Sequence, residues 1–343
     1  MRVDGKLTIE SMSQVIATAV QHERTGYAGL WTSESKHDPF LPLALAGEHT
    51  TSLELGTSIA VAFARSPMTL AHTAWDLQRY TDGRFMLGLG SQVKPHIERR
   101  FSMPWGQPAN RMREMVSAIR AIWDTWQNDA PLSFTGDFYQ HTLMTPFFSP
   151  GPLETPIPKI VIAAVGEIMC QVAGEVCDGI FLHGFTTEKY VREVTLPAIR
   201  RGQEKAGRSM DDFEVYGLPL TATGRDEESL AAAVKGVRDQ IAFYASTPTY
   251  RKVLELHGWG ELGDELHAMS RGDDPGRWSA MGDAIDDDVL HAFAIVGEPD
   301  TVGAALIERY GDLMDRLQFY APYQHDTAMW EPIIADIEKA SAD

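Results

Sequence analysis

LELGTSIAVAFARSPMTLAHTAWDLQRYTDGRFMLGLGSQVKPH, residues Leu53 to His96, decides the fold. Small and β-branched residues from Leu53 to Val61 read as a strand. Pro67 then starts a helical pattern that puts Leu70, Ala71, Ala74, Trp75, Leu77 and Gln78 on one face. Asp82-Gly83 supplies a turn, and a second apolar run from Arg84 ends in Gly88-Leu89-Gly90. Strand, helix, turn, strand is a right-handed βαβ unit of a parallel sheet. Polar residues gather after each strand: Ser58 near the end of the first, Ser91 and Gln92 after the second. In parallel α/β folds that is the end at which ligands bind.

The same rhythm runs outward in both directions. Arg2 to Asp4 is a first short strand, and a helix capped by Ser11 or Ser13 runs to about Thr25, where Gly26 stops it. Tyr27 to Trp31 is the second strand. A polar loop follows it, and then an apolar helix that Pro39 opens. Beyond His96 a loop insertion at about 91–108 leads into a helix from about Asn110 to Trp126. Leu132 to His141 suggests a hairpin, and the five prolines from Pro146 to Pro158 make an extended crossing segment. Further strands are expected at Lys159 to Ala163, Gly179 to Leu182, Phe213 to Thr221 and Leu317 to Tyr320. A helical insertion at about 246–290 breaks the rhythm. Eight strands alternating with helices argue for an α/β fold, a (β/α)8 TIM barrel with helical and loop insertions, in a single domain over residues 1–343.

The chain has 343 residues, 44% of them hydrophobic, and a net charge of −18. A nucleic-acid binder or a protein held on an anionic membrane would not be so acidic. No apolar run reaches the roughly 20 residues of a membrane span, and the first residues lack the apolar segment of a signal peptide. The expectation is a cytoplasmic protein acting on a small molecule. Cys170 and Cys177 fall on one expected helix about 10 Å apart, too far for a disulfide, and should be reduced thiols.

Four post-strand loops carry the chemistry: Glu34 to Asp38, Ser58 to Arg65, Gly90 to His96, and Ala164 to Gly166 with His183. Glu34 and His37 could supply an acid or base; Asp38 could as well cap the helix after Pro39. Gly88-Leu89-Gly90 lacks the third glycine of a dinucleotide fingerprint, but its small residues would let a planar ring approach the backbone. Ala164-Val165-Gly166 before a helix is a candidate phosphate seat, or simply a tight turn. No histidine or cysteine spacing suggests a metal, and there is no nucleophile elbow. His22, His49, His72 and His291 read as structural.

Taken in order, GYAGLW (26–31), LGTSIAVAF (55–63), DGRFMLGLGSQ (82–92), KIVIAAVGEIM (159–169), CDGIFLHGF (177–185) and VGEPDTV (296–302) resemble the luciferase-like flavin and deazaflavin oxidoreductases, and more closely their coenzyme F420-dependent branch. The resemblance spans the barrel. It implies a homodimer and a cis peptide bond at Ser58-Ile59 behind the cofactor ring. It sets Glu34 near the deazaflavin head group and Val61, Gly90, Ser91, Gln92 and His96 at the cofactor. Ala164, Val165 and Gly166 would hold its phosphate, and His183 would stand on the substrate side. Tyr250, Arg251 and Trp259 of the helical insertion would shape specificity. Against the branch's glucose-6-phosphate dehydrogenases, Ser35 replaces a catalytic His, Val93 a catalytic Glu and Thr186 a phosphate-binding Lys. A sugar phosphate is therefore not the expected substrate, and Glu34, His37, His96 and His183 stand as candidates for the proton-handling group.

The reading that results is an F420-dependent oxidoreductase transferring a hydride between the deazaflavin and a small carbonyl, alcohol or activated alkene. Two alternatives share the fold: a two-component FMN-dependent monooxygenase using reduced flavin and oxygen, and a barrel that binds cofactor without turnover.

Overall fold

A computed structural model describes residues 1–8 and 10–342. Eight strands make the barrel: β1 (Arg2–Leu7), β2 (Gly29–Thr32), β3 (Glu54–Thr57), β4 (Phe85–Gly90), β5 (Lys159–Ala164), β6 (Gly179–Leu182), β7 (Glu214–Gly217) and β8 (Arg316–Leu317). Their order is β3-β2-β1-β8-β7-β6-β5-β4, and β4 pairs again with β3. The sheet therefore closes on itself and helices alternate with its strands, which makes the chain a (β/α)8 barrel. β2, β4 and β6 are buried at every position, as expected of parallel strands covered on both faces.

By packing, the chain divides into two compact units. One comprises Asp4–Phe181 and Ala198–Glu214; the other comprises Met1–Val3, Leu182–Pro197 and Val215–Asp343.

In the first unit, the helix Pro67–Tyr80 begins where the sequence places it. The Ser66 hydroxyl accepts the Thr69 amide at 3.1 Å, and Pro67 takes the first position, where no amide is needed. Leu70, Ala71, Ala74, Trp75, Leu77 and Gln78 are all buried. Trp75 lies 6.2 Å from Trp123 and 5.4 Å from Trp126, ring centre to ring centre, on the helix Pro108–Asn128. Gln78 accepts the Phe85 amide (2.8 Å) and donates to the Pro156 carbonyl (2.7 Å), so one side chain ties this helix to both β4 and the proline-rich segment. Asp82 and Gly83 turn with φ of 52° and 83°, a left-handed pair that suits Asp-Gly.

The expected third strand is not continuous. It breaks after Thr57 and resumes at Ala60–Val61. The Thr57 hydroxyl donates to the Gly88 carbonyl (2.6 Å) and accepts the Gly88 amide (3.0 Å). The approach is close: a Cβ on Gly88 would lie 1.6 Å from the Thr57 carbonyl oxygen and 2.8 Å from the Phe181 ring. Strand packing by itself requires the glycine.

In the second unit, β7 is followed by a further extended segment, Leu220–Thr223, paired in parallel with Ala294–Gly297. The insertion is helical, as expected, in Arg251–Leu256, Gly260–Ser270, Arg277–Asp283 and Asp287–Phe293. Leu254, Leu266, Met281, Leu290 and Phe293 bury it against the helix Glu227–Ala245 in one apolar cluster. Cys177 lies one residue past its helix, not on it. Both cysteines are buried free thiols, and burial pushes the Cys170 thiol up to about 12, so neither is a nucleophile. No helix among the described residues is long and apolar enough to cross a membrane.

Candidate functional site

In the first unit, candidate residues gather around Glu34. Its Oε2 accepts the Val61 amide (2.7 Å) and Arg65 Nη1 (2.6 Å), with the Glu34 side chain only 7% exposed. The Glu34 amide donates in turn to the Ile59 carbonyl (3.1 Å), and the Ser58 amide to the Thr32 carbonyl (2.6 Å). The loop after β2 is thereby bound at several points to the bulge after β3. The Ser58–Ile59 peptide bond is cis, as the resemblance implies. Arg65 also reaches Asp38 Oδ2 (3.3 Å) and lies 5.3 Å over the Phe40 ring. Asp38 Oδ1 accepts the Phe40 and Leu41 amides (2.8 and 3.1 Å), just ahead of the helix Leu41–His49, whose N-cap is Phe40 and carries no side-chain cap bond.

Gly90 lies under Ile59: a Cβ on Gly90 would sit 2.6 Å from the Ile59 side chain. Ser91 donates to the Gln92 carbonyl (3.2 Å), and Gln92 holds a left-handed φ of 57°. His37 and His96 are exposed, His96 opening a short π-helical turn, His96–Arg100. Arg100 donates to the Ser35 carbonyl. Val93 is exposed.

Ala164 is buried and Val165 half-buried at the end of β5. Gly166 is the N-cap of the helix Glu167–Val176, with no side chain to cap the first-turn amides, and the space around its absent Cβ is open to 4 Å. An uncapped helix start beside open space suits an anion. Glu167 in the first turn works against it but is paired with Arg201 at 3.2 Å.

In the second unit, His183 follows β6 and sits among aromatic rings. It stacks on Tyr250 at 4.7 Å and meets Tyr244 edge-on at the same distance. Its Nδ1 accepts the Phe185 amide (3.0 Å), and its Nε2 lies 3.1 Å from the Tyr250 hydroxyl. Burial lowers its pKa to about 4, so the ring is neutral at pH 7. The Tyr244 and Tyr320 hydroxyls are 2.8 Å apart. Gly184 leaves the space Tyr320 fills, since a Cβ there would be 2.5 Å from that ring. Tyr244 and Tyr320 went unrecognised in the sequence, because a tyrosine on an amphipathic helix or at a strand end looks like core. Arg251 is held within the insertion by the Gly260 carbonyl and Asp264. Trp259 stacks on His257 at 4.5 Å, and His257 Nε2 meets the Thr187 hydroxyl at 2.8 Å. No group of acidic, histidine or cysteine side chains among the described residues could hold a metal.

Residues 2–316 match the luciferase-like monooxygenase family, and the chain belongs to it. Its class is therefore that of the oxidoreductases. An uncharacterized protein of Mycobacterium tuberculosis is 53% identical over 317 residues, 92% of each chain. A putative coenzyme F420-dependent oxidoreductase of the same organism is 28% identical over 314 residues, 85% of each chain. The solved structure of a coenzyme F420-dependent tetrahydromethanopterin reductase from Methanopyrus kandleri superposes with a TM-score of 0.78 over 99% of each chain at 18% identity, a likeness of fold.

Proposed function

We propose that the protein is an F420-dependent oxidoreductase acting on a small organic substrate. The observation that carries this reading is the 28% identity, over 85% of each chain, to the putative F420-dependent oxidoreductase. The residues of the first unit fit such a cofactor. Gly166, with open space and uncapped amides, suits its phosphate. The bulge at Ser58, Ile59 and Val61, bound to Glu34 and with Ile59 seated in the space that Gly90 leaves, offers a firm backing for a flat ring. Ser91 and Gln92 lie on the loop just beyond. When bound, the deazaflavin supplies or accepts a hydride.

The chain's own residues bind, orient and manage the proton. Glu34 already carries an ion pair and an amide bond on Oε2, so it orients the bulge and does not serve as a free base. We assign His183, neutral at pH 7, and its partner Tyr250 to the substrate. With Ser35, Val93 and Thr186 in place of the sugar-phosphate machinery, we assign a small uncharged substrate. The family's monooxygenase description favours a second reading, reduced FMN with oxygen.

Fluorescence titration of the apoprotein with F420 and FMN side by side separates these. Selective F420 binding is expected. Selective binding of reduced FMN with oxygen-dependent turnover would replace this reading with the second, and binding of neither would remove both.

A further inference from the structure

The hydrogen bonds around His183 have a fixed direction. A backbone amide can only donate, so the Phe185 N–H forces His183 Nδ1 to be the acceptor. In the neutral ring the proton must then sit on Nε2, and Nε2–H donates to the Tyr250 oxygen at 3.1 Å. The tyrosine's own proton is therefore directed away from His183, and it meets no acceptor among the described residues. The phenol stays protonated, since burial pushes it up to about 12. Tyr250 is half-buried, with its ring seated against Phe185 and Tyr244. Of the nearby cations, Arg251 is committed to Asp264 and Gly260, and Lys189 to the Leu256 carbonyl.

We infer that the Tyr250 hydroxyl is the donor that recognises an uncharged substrate oxygen, a ketone, aldehyde or alcohol, and that His183 is the positioning residue that fixes its direction. This rests on the oxidoreductase reading for its role in turnover, and it deepens that reading by requiring an oxygen acceptor on the substrate. A bare carbon–carbon double bond offers this donor no acceptor, whereas a carbonyl, free or conjugated to an alkene, does. An unmet hydrogen-bonding group in a half-buried site discriminates strongly. A carboxylate or phosphate is disfavoured, because one neutral phenol among aromatic rings does not repay the desolvation of an anion.

The test compares binding of cyclohexanone with that of methylenecyclohexane, which has the same shape without the oxygen. Ligand-observed NMR would measure both, with and without added F420. The wild type should prefer the ketone by about 5- to 10-fold. Tyr250→Phe, which keeps the ring and its packing, should abolish the preference while leaving alkene binding unchanged. His183→Gln should reduce the preference without changing alkene affinity, an effect that general loosening of the fold would not produce. A ketone preference that survives Tyr250→Phe, or no ketone preference in the wild type, overturns the proposal. If the ketone preference holds and F420 does not bind, the cofactor assignment falls and the Tyr250 site stands. If F420 binds and the preference is absent, the Tyr250 site falls alone.

Discussion

Glu34 and His183 differ in how their environments use them. Glu34 is pinned by an amide and a guanidinium, and its loss would release Arg65 and the Val61 amide together. Glu34→Ala should cost about 1–3 kcal/mol in urea unfolding, and Glu34→Gln less, because the amide bond can persist. His183 is buried neutral. The unfolded chain takes up a proton near pH 6.5, whereas the folded chain resists until about pH 4. Stability should therefore fall as pH drops through that window and stop falling, for this group, below it. Melting temperatures across pH 4 to 7 check this: His183→Gln should show a shallower slope than the wild type. Some slope should remain, since His22, His141 and His257 are shifted the same way by burial. Glu34 and His183 could be picked from sequence because each follows a strand. The partners that give them meaning could not: Arg65 is 31 residues from Glu34 and Tyr250 is 67 from His183. The bond from Arg251 to Asp264 is likewise invisible until two helices are packed.

At the level of elements, two glycines make opposite expectations. Gly88 faces the Thr57 carbonyl across β3 and β4, and backbone cannot give way as a flexible side chain can. Gly88→Ala should cost about 3 kcal/mol or more, or prevent folding, as read by chemical denaturation. Gly166 has an ordinary φ of −89° and open surroundings. Gly166→Ala should change stability by less than about 1 kcal/mol, yet weaken cofactor binding if the phosphate sits there. A fluorescence titration of that variant separates the two effects. The β3 break shows why sequence falls short here. A run such as Leu53 to Val61 has the composition of one strand, and nothing in its periodicity marks where Thr57 leaves the ladder to bond Gly88 through its side chain. Strand starts and helix faces were more legible: Ser66-Pro67 and the buried stripe of the following helix need no tertiary information.

For the whole molecule, the eightfold alternation was legible because strands buried on both faces are apolar throughout, while their helices carry polar faces. The net charge of −18 acts at this scale too. An anionic cofactor must approach against that field before any local helix start can attract it. Its association rate, followed by stopped-flow fluorescence, should rise as salt shortens the screening length to about 10 Å at 0.1 M. A falling rate would mean that a local positive field governs the approach.

The barrel's seam is its shortest strand. β8 is two residues long and joins Arg2 and Val3 on one side to Tyr216 and Gly217 on the other. Val3 is made long before its partner Leu317. At roughly 5–20 residues per second, a ribosome needs tens of seconds between Val3 and Leu317. Throughout that time the first strand has an open edge that nothing yet translated in β8 can cover. The nascent chain is thus committed to a long period as an unclosed sheet, which ends only when β8 leaves the exit tunnel.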